Sequence, residues 1–314
     1  MSLTIGIDVG GTKIAAGVVD QAGAVVEEQR RNTPATDAEA TEAAIIDVVR
    51  ELQTHHEVEA VGIGAAGYID ADRSTVLFAP NLAWREEPLR AAIEIGTGVP
   101  VVVENDVNAA AWGEFQFGAG ADVDDLVMVA LGTGIGGGIV LKGELFRGSF
   151  GMAGEFGHVR VVPDGQVCGC GNRGCWEQYA SGHALQRFVR EVAETGSPLA
   201  AALLEAAEGS VAAISGPMIT AAAQRGDRLA LDAFESVGMW LGIGIADLAC
   251  SLDPGVVVVG GGLSEAGELL LKPAKTAFKH QLTGRGHRPE LQIRVAELGN
   301  KAGMTGSADL ARHR

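Results

Sequence analysis

Aromatic side chains are scarce in this chain of 314 residues, where Phe, Trp and Tyr together make up 5% of the sequence. The hydrophobic core must therefore be built mainly from Ala, Val, Leu and Ile. Basic residues are also few, because 24 Lys and Arg face 40 Asp and Glu and leave a formal net charge of −16. A protein this acidic, with no basic stripe, is a poor candidate for binding nucleic acid or an anionic membrane surface.

Long hydrophobic runs are missing as well. No uninterrupted apolar stretch approaches the ~20 residues of a membrane span, and the N-terminus carries neither the basic region nor the cleavage site of a signal peptide. Cysteine occurs only four times, and three of the four lie between Cys168 and Cys175. In a reducing compartment such a cluster favours a metal site over disulfides. These absences predict a cytoplasmic protein.

Glycine is what the chain has in quantity, with 45 residues that often stand in clusters between apolar segments. Short apolar strands alternate with segments of helical spacing, which predicts a mainly parallel sheet covered by helices, with hairpins at its start. The predicted strands are Leu3–Asp8, Ile14–Asp20, Ala24–Arg31, Val58–Gly64, Val99–Val103, two within Leu126–Val140, and Val256–Val259. The predicted helices are Asp37–His55, Pro88–Ile95, Asn105–Phe117, Trp176–Glu194, Asp227–Leu252 and Met304–Arg312.

One pattern occurs twice. Leu126–Val140 reads as strand, glycine-rich turn and strand, as Thr4–Val18 does, and an offset of about 122 residues superimposes the two turns. Glycines match glycines easily, but the flanking apolar strands match as well. The sequence therefore predicts two copies of one supersecondary unit.

The turn Asp8-Val9-Gly10-Gly11-Thr12-Lys13 suits a phosphate group. Its glycines let backbone N–H groups approach phosphate oxygens, its Thr adds a hydroxyl donor, and Asp8 can face a hydrated Mg²⁺. An ordinary hairpin turn is the alternative, since Gly-Gly is common there. The further glycine clusters at Gly132-Thr133-Gly134 and Gly260-Gly261-Gly262 favour the phosphate interpretation. Three G-x-G-x-x-G matches are rejected as dinucleotide sites, because none clearly runs from strand through turn to helix.

A second candidate site follows a buried strand in the segment Glu104-Asn105-Asp106-Val107-Asn108. Carboxylates at the carboxyl end of a strand lie where sites in open α/β sheets gather. The commoner explanation is helix capping by Asn105 or Asp106.

One imidazole and three thiolates, from His158, Cys168, Cys170 and Cys175, give the ligand count of a closed tetrahedral zinc site. Their spacing is not the common C-x₂-C, and reduced cysteines in a glycine-rich loop are the alternative. Cys250, on an apolar helical segment, is predicted to be a core residue.

These motifs together resemble a known family. The DxGGTK, LGTGIGGG and VVVVGGG segments resemble the phosphate-1, phosphate-2 and adenosine motifs of the actin/hexokinase-like ATPase superfamily. The stretch Leu131–His158 looks like the signature of the ROK family of sugar kinases and repressors, and its bacterial glucokinases match best. The ENDxN segment and the GHxxx…CxCGxxGC pattern fit the same family, so the resemblance covers essentially the whole chain.

The resemblance implies an α/β protein with the two-domain actin/hexokinase-like ATPase fold, built from duplicated ribonuclease-H-like sheets with a cleft between the domains. The small domain is expected over residues 1–110, completed by a helix at 302–314. The large domain, which carries the zinc loop, is expected over 111–301. Homo-oligomers, dimers or tetramers, are common in such families.

The resemblance also assigns roles to individual residues. It makes Asp106 the general base that accepts the proton of the sugar 6-hydroxyl, and it makes the zinc structural. His158 is expected to serve both the zinc and the sugar, one ring nitrogen on each. The implied sugar ligands are Gly67, Asn81, Asn105, Asp106, Glu155, His158 and Glu177. The implied contacts to ATP and Mg²⁺ are Asp8, Gly10, Gly11, Thr12, Lys13, Gly132, Thr133, Gly134, Gly260, Gly261 and Gly262. The implied zinc ligands are His158, Cys168, Cys170 and Cys175.

The expected function is phosphorylation of glucose at its 6-hydroxyl by ATP. Another hexose, such as N-acetylmannosamine, allose or fructose, is an alternative substrate, and polyphosphate is an alternative donor. A sugar-responsive repressor is a further alternative, but ROK repressors carry an added N-terminal helix-turn-helix, and here the first strand is expected at about residue 3. A sugar-binding protein without catalysis remains the last alternative.

Overall fold

The computed structural model describes residues 2–313 and contains strands that form three sheets. The strands are β1 (Thr4–Val9), β2 (Lys13–Val19), β3 (Val25–Asn32), β4 (Val61–Ala65), β5 (Tyr68–Ile69), β6 (Val76–Phe78), β7 (Arg85–Glu87), β8 (Val101–Asn105), β9 (Leu126–Leu131), β10 (Ile135–Leu141), β11 (Glu144–Leu145), β12 (Val256–Gly260) and β13 (Gln292–Val295).

The α-helices lie between and after the strands, and short 3₁₀ turns join some of them. They are α1 (Ala38–His55), α2 (Leu89–Thr97), α3 (Asp106–Phe117), α4 (Glu177–Ala180), α5 (Gly182–Glu194), α6 (Ala201–Ala206), α7 (Gly216–Gln224), α8 (Arg228–Leu252), α9 (Glu268–Gln281) and α10 (Ala302–Arg312).

The first sheet has the strand order β3-β2-β1-β4-β8. Strands β1 to β3 pair antiparallel as a meander, whereas β4 and β8 run parallel to β1. Strand β4 is buried along its whole length and β8 in four of its five residues. This accounts for their largely apolar sequences, because parallel strands in α/β proteins are covered on both faces.

The second sheet repeats this order as β11-β10-β9-β12-β13. Its strand β12 pairs parallel to β13, and β10 pairs antiparallel to β11, which are the same relations as in the first sheet. The predicted duplication and the α/β fold class are therefore confirmed. The offset of 122 residues read from the sequence places β9 on β1, strand for strand.

Helix α10 covers one face of the first sheet, and small residues allow the close approach. A Cβ built at Gly62 would lie 1.8 Å from the Ser307 carbonyl oxygen, and one at Gly6 would lie 1.8 Å from the Met304 carbonyl oxygen. Real Cβ atoms do not come so near, so both strand positions require glycine. Helix α10 is thus part of the core around β1 and β4.

The chain forms two compact units. One contains the residues up to Met128, Gly137–Gly154 and the segment from Ala296 onward, and the other contains Val129–Gly136 and Glu155–Val295. The first unit holds the first sheet and the second holds most of the helices between β11 and β13. The domain boundary predicted near residue 110 remains a prediction.

Within residues 2–313, α8 is the one helix long and apolar enough to cross a membrane by length and composition. Its most apolar window is 61% buried inside the protein. That burial is typical of the core helix of a globular protein, which passes the same test.

Some predicted elements differ from the structure. The helix predicted over Trp176–Glu194 is two helices, because Ser181 has extended backbone and caps α5 by accepting a hydrogen bond from the Ala184 N–H at 3.2 Å. Cys250 lies on α8 as predicted but is exposed, so its prediction as a core residue was wrong. The small sheet of β5, β6 and β7 was not predicted, since strands of two or three residues give no periodic signal.

Candidate functional site

The first glycine turn joins β1 to β2. The Gly10 N–H donates to the Lys13 carbonyl at 3.0 Å and closes the turn, and Thr12 and Lys13 are exposed. A Cβ at Gly11 would lie 3.1 Å from Cβ of Asn81, so the structure brings this predicted sugar ligand against the turn. Open backbone and exposed donors here have the composition of an anion site.

Two carboxylates stand together near this turn. Burial and the neighbouring charge of Asp106 together raise the pKa of Asp8 to about 6, and the charge of Lys13 opposes the rise. Burial also raises the pKa of Asp106, against the lowering effect of backbone N–H groups at the start of α3. A Cβ at Gly303 would lie 3.7 Å from Cγ of Asp8 and 3.8 Å from the Asp106 carbonyl, so the first turn of α10 lies beside both residues.

Asn105 is the N-cap of α3, and its side chain is largely occupied by the protein. Its Oδ1 accepts hydrogen bonds from the N–H groups of Val107 and Asn108 at 2.9 and 3.0 Å. Its Nδ2 donates to the Gly67 carbonyl at 3.1 Å. The Asn105 side chain also hydrogen-bonds the Asp106 carboxylate, which opposes the rise of the Asp106 pKa, and the structure brings Gly67, Asn105 and Asp106 together as neighbours.

The second glycine turn contacts the helices that follow the cysteine loop. The Gly132 carbonyl accepts a hydrogen bond from the Gly182 N–H at 2.9 Å, and the Thr133 carbonyl accepts one from His183 at 3.2 Å. A Cβ at Gly134 would lie 2.3 Å from Oε2 of Glu177. The turn predicted to bind nucleotide is thus adjacent to a residue predicted to bind sugar.

The third glycine cluster ends β12. Gly261 has a φ of +79°, which L-residues with a side chain rarely adopt, and a Cβ there would lie 2.5 Å from the Leu131 carbonyl. Gly261 therefore packs against the residue that precedes the second glycine turn. Gly260 is buried, whereas Gly261 and Gly262 are exposed and present free backbone surface.

The four predicted zinc ligands converge. Their ligand atoms, from His158, Cys168, Cys170 and Cys175, all lie within 4.8 Å of one another. The Sγ atoms of Cys170 and Cys175 are 3.7 Å apart, and Sγ of Cys168 is 3.6 Å from Nδ1 of His158. A tetrahedral zinc with Zn–S bonds of ~2.3 Å separates its sulfur ligands by about 3.8 Å. The distances and donor set fit a structural zinc, with Nδ1 of His158 facing it.

Glu177 adjoins this cluster. Its Oε1 lies 2.9 Å from Sγ of Cys168 and 3.7 Å from Nδ1 of His158. Glu155 lies one turn earlier, where its carbonyl accepts a hydrogen bond from the His158 N–H at 3.1 Å, and its side chain is exposed. In the second unit the structure therefore brings together Glu155, His158 and Glu177.

The sequence placed Glu104 in the second candidate site but gave it no role, although it stands next to two residues with predicted roles. Its side chain is 1% exposed and contacts Arg73 and Arg147. The signal in the sequence was a carboxylate directly after three valines in a buried strand, because Glu is almost never fully buried unless it is paired.

Two sheets with the same strand order, each beginning with a strand that leads into a glycine turn, define a protein of the actin-like ATPase fold. The family model described as ROK family matches residues 4–314, and this chain belongs to that family.

Proteins similar to this chain include glucokinases and a xylose repressor. The chain is 51% identical over 312 residues to a glucokinase from Streptomyces coelicolor, covering 99% of this chain and 98% of the relative. It is 33% identical to a xylose repressor from Caldicellulosiruptor bescii, covering 96% of this chain and 76% of the repressor. Among solved structures it resembles a ROK family glucokinase from Streptomyces griseus in complex with glucose and AMPPNP, with a TM-score of 0.89, 54% identity and full coverage of both chains.

Proposed function

We propose that this chain is a glucokinase, which transfers the γ-phosphoryl group of ATP to the 6-hydroxyl of glucose and yields glucose 6-phosphate and ADP. The observation that carries the proposal is the likeness to the Streptomyces griseus glucokinase, since 54% identity and a TM-score of 0.89 extend over the whole of both chains. The relative was solved with glucose and an ATP analogue.

The mechanism assigns the proton to Asp106. Its carboxylate accepts the proton of the 6-hydroxyl while the hydroxyl oxygen forms a bond to the γ-phosphorus, and the bond from that phosphorus to the β,γ-bridging oxygen breaks to release ADP. The raised pKa of Asp106 supports this role, because a general base works best when its pKa lies near the operating pH. Phosphoryl transfer asks for little covalent chemistry beyond such alignment.

The nucleotide contacts are proposed for the three glycine segments. Backbone N–H groups of Gly11 and the second glycine turn hold phosphate oxygens, and Gly10 closes the first turn and leaves its backbone uncovered beside them. The glycines of the third cluster leave room for adenosine. Thr12 and Lys13 are exposed and supply a hydroxyl donor and a positive charge. Mg²⁺, when bound with ATP, neutralises phosphate charge, and Asp8 is proposed to face its water shell.

The sugar contacts are proposed for side chains with hydrogen-bonding oxygen and nitrogen atoms, which suit the adjacent donors and acceptors of a hexose. The exposed position of Glu155 supports its inclusion, and the contact of Asn105 with the Asp106 carboxylate supports that of Asn105. The proposed set is Gly67, Asn81, Asn105, Asp106, Glu155, His158 and Glu177. Zinc, when bound, would brace the loop that carries two of these residues and leave no coordination position for water.

Location and assembly complete the proposal. We propose that the protein works in the cytoplasm, where ATP is supplied, and that it forms a homo-oligomer, a dimer or a tetramer. Light scattering on the purified protein measures the oligomer directly, and a monomeric mass across micromolar concentrations would contradict it.

The test is a coupled ADP-release assay with ATP–Mg²⁺ and a panel of glucose, mannose, fructose, allose and N-acetylmannosamine. We expect a clear preference for glucose, and a kcat lower by about 10³-fold in Asp106→Asn with glucose binding retained. Asp47→Asn, on the exposed face of α1, is the matched control.

Each other result selects an alternative. Preference for another hexose changes the substrate, and release only with polyphosphate changes the donor. Glucose binding without turnover from any donor would contradict the kinase and indicate a sensor like the related repressors.

A further inference from the structure

Glu104 is a buried charge that the proposed mechanism does not use. It is the fourth residue of β8, directly before Asn105 and Asp106, and its side chain is 1% exposed. A carboxylate so deep in a strand costs free energy unless its surroundings compensate the charge. The groups that surround the Glu104 carboxylate therefore indicate its role.

One oxygen of Glu104 holds the start of α3. Its Oε1 accepts a hydrogen bond from the N–H of Asn105 at 2.9 Å and another from Nδ2 of Asn108 at 3.1 Å. Asn105 in turn caps the helix that Asp106 opens. The main-chain N–H just before Asp106 and the side chain of Asn108 just after it are thus tied to one carboxylate.

The other oxygen faces two guanidinium groups. Nε of Arg147 lies 2.7 Å and Nε of Arg73 lies 3.0 Å from Oε2. Neither Oε2 nor Nε of Arg147 has a partner with hydrogen-bond geometry, so the Arg147 contact acts through charge. Every group around the carboxylate is a hydrogen-bond donor or a cation, so its two oxygens are surrounded by groups that suit an acceptor.

Both arginines are themselves fixed. Nη1 and Nη2 of Arg147 donate to the carbonyls of Ala71 and Asp70, each at 2.8 Å. Arg73 has a φ of +56°, a strained value for a residue with a side chain, and its carbonyl accepts a hydrogen bond from the Val103 N–H at 3.1 Å. Strain of this kind persists only where the surroundings impose it, and it gathers at functional sites.

We infer that Glu104 is a positioning residue for phosphoryl transfer, which fixes the first turn of α3 and thereby the direction of the Asp106 carboxylate. Arg147 and Arg73 compensate its charge and anchor it to the loop between β5 and β6. The inference rests on the proposed glucokinase function. A misplacement of about 1 Å of a catalytic group costs on the order of 10²-fold in rate.

The experiment compares Glu104→Gln with Glu114→Gln. Glu114 is also a fully buried carboxylate of the same region, but it accepts hydrogen bonds from the N–H groups of Ala119, Glu297 and Leu298, beyond the other end of α3. Calorimetric titration with glucose counts functional sites in each preparation, and kcat is then expressed per site. ATP KM and thermal midpoints are measured alongside.

In Glu104→Gln the amide NH₂ meets donors, so we expect the kcat per site to fall 10- to 100-fold while the ATP KM changes by less than about threefold. Glu114→Gln should lose thermal stability and keep its kcat per site within about twofold. A kcat per site that is unchanged in Glu104→Gln, whatever its stability, would mean that the residue is structural only.

A milder variant covers the case in which Glu104→Gln does not fold. Arg73→Gln removes the more exposed of the two cations and leaves the Arg147 pair. We expect its kcat per site to fall about threefold to tenfold, and an unchanged value overturns the inference. Wild-type protein that releases no ADP with glucose would instead refute the proposed function, and the positioning role with it.

Discussion

The two sheets have one architecture but different chemistry. Strands β1 and β9 even have the same burial pattern, with the fifth residue partly exposed in an otherwise buried strand. That residue is Asp8 in the first sheet and Ala130 in the second. Strand β8 leads into Asp106 and α3, whereas β13, the matching edge strand, leads into a 3₁₀ turn. The repeated scaffold is therefore separable from the carboxylates, which occur in one copy only.

The second copy has its own specialisation, the metal cluster. We expect Cys175→Ser to lose zinc and to lower kcat/KM for glucose by at least about 100-fold, since the free energy of structural zinc binding is spent on folding its loop. Metal analysis of the purified protein and glucose kinetics measure both effects. Cys250→Ser is the control, because Cys250 is exposed on α8. Zinc-free protein with normal glucose kinetics would refute the bracing role.

The next variant removes a chemical difference between the strands that lead into the two glycine turns. Asp8→Asn removes the carboxylate that has no counterpart in β9, and we expect kcat/KM for ATP–Mg²⁺ to fall about 100-fold, because phosphoryl transfer depends on neutralising phosphate charge. Glucose affinity, measured by calorimetry, should stay within about threefold. Unchanged ATP kinetics over a range of Mg²⁺ concentrations would remove Asp8 from the nucleotide site.

A third change tests the packing that distinguishes the sheets. Strands β4 and β12 take the same place in their sheets. The second residue of β4 is Gly62, whereas the second residue of β12 is Val257. Gly62→Ala places a methyl group against the Ser307 carbonyl, and we expect a loss of about 3 kcal/mol in the free energy of unfolding. Urea denaturation measures it. Gly216→Ala, whose nearest neighbour atom would lie at 3.7 Å, should cost nothing. Equal midpoints for both variants would refute the close packing of α10.

The smallest expected effect is a pH dependence of stability that arises from Asp8. Ala130, its counterpart in β9, has no titratable side chain. The pKa of Asp8 is about 6 in the folded protein against an ordinary 3.8, so the folded state holds this proton more tightly. The unfolding free energy of the ligand-free protein should therefore decline as pH rises from about 4 to about 6, by no more than about 3 kcal/mol. Thermal midpoints of wild type and Asp8→Asn across this range measure the difference. Parallel curves would contradict a raised pKa.

The sequence predicted the structural features that depend on local sequence patterns. Apolar strands around glycine turns predicted both copies of the sheet start, and the cysteine loop predicted a cluster whose four ligand atoms do converge. The edge strand β13 was not predicted, because only two of its four residues are partly buried and none is fully buried. The ion-pair partners of Glu104 were not predicted for another reason. Its contacts to Arg73 and Arg147 join distant segments, and no periodicity within one element reports such a pairing.

Helix α10 gives the protein an unusual order of assembly during translation. Oγ of Ser307 donates to the carbonyl of Ile7 at 3.5 Å across 300 residues of chain, and the glycine face of β1 and β4 stays uncovered until that helix arrives. At ~5–20 residues per second, a ribosome needs roughly 15–60 s to extend the chain that far. A strand made first therefore waits longest for its neighbour, and a nascent chain halted in the second sheet would expose this face to chaperones.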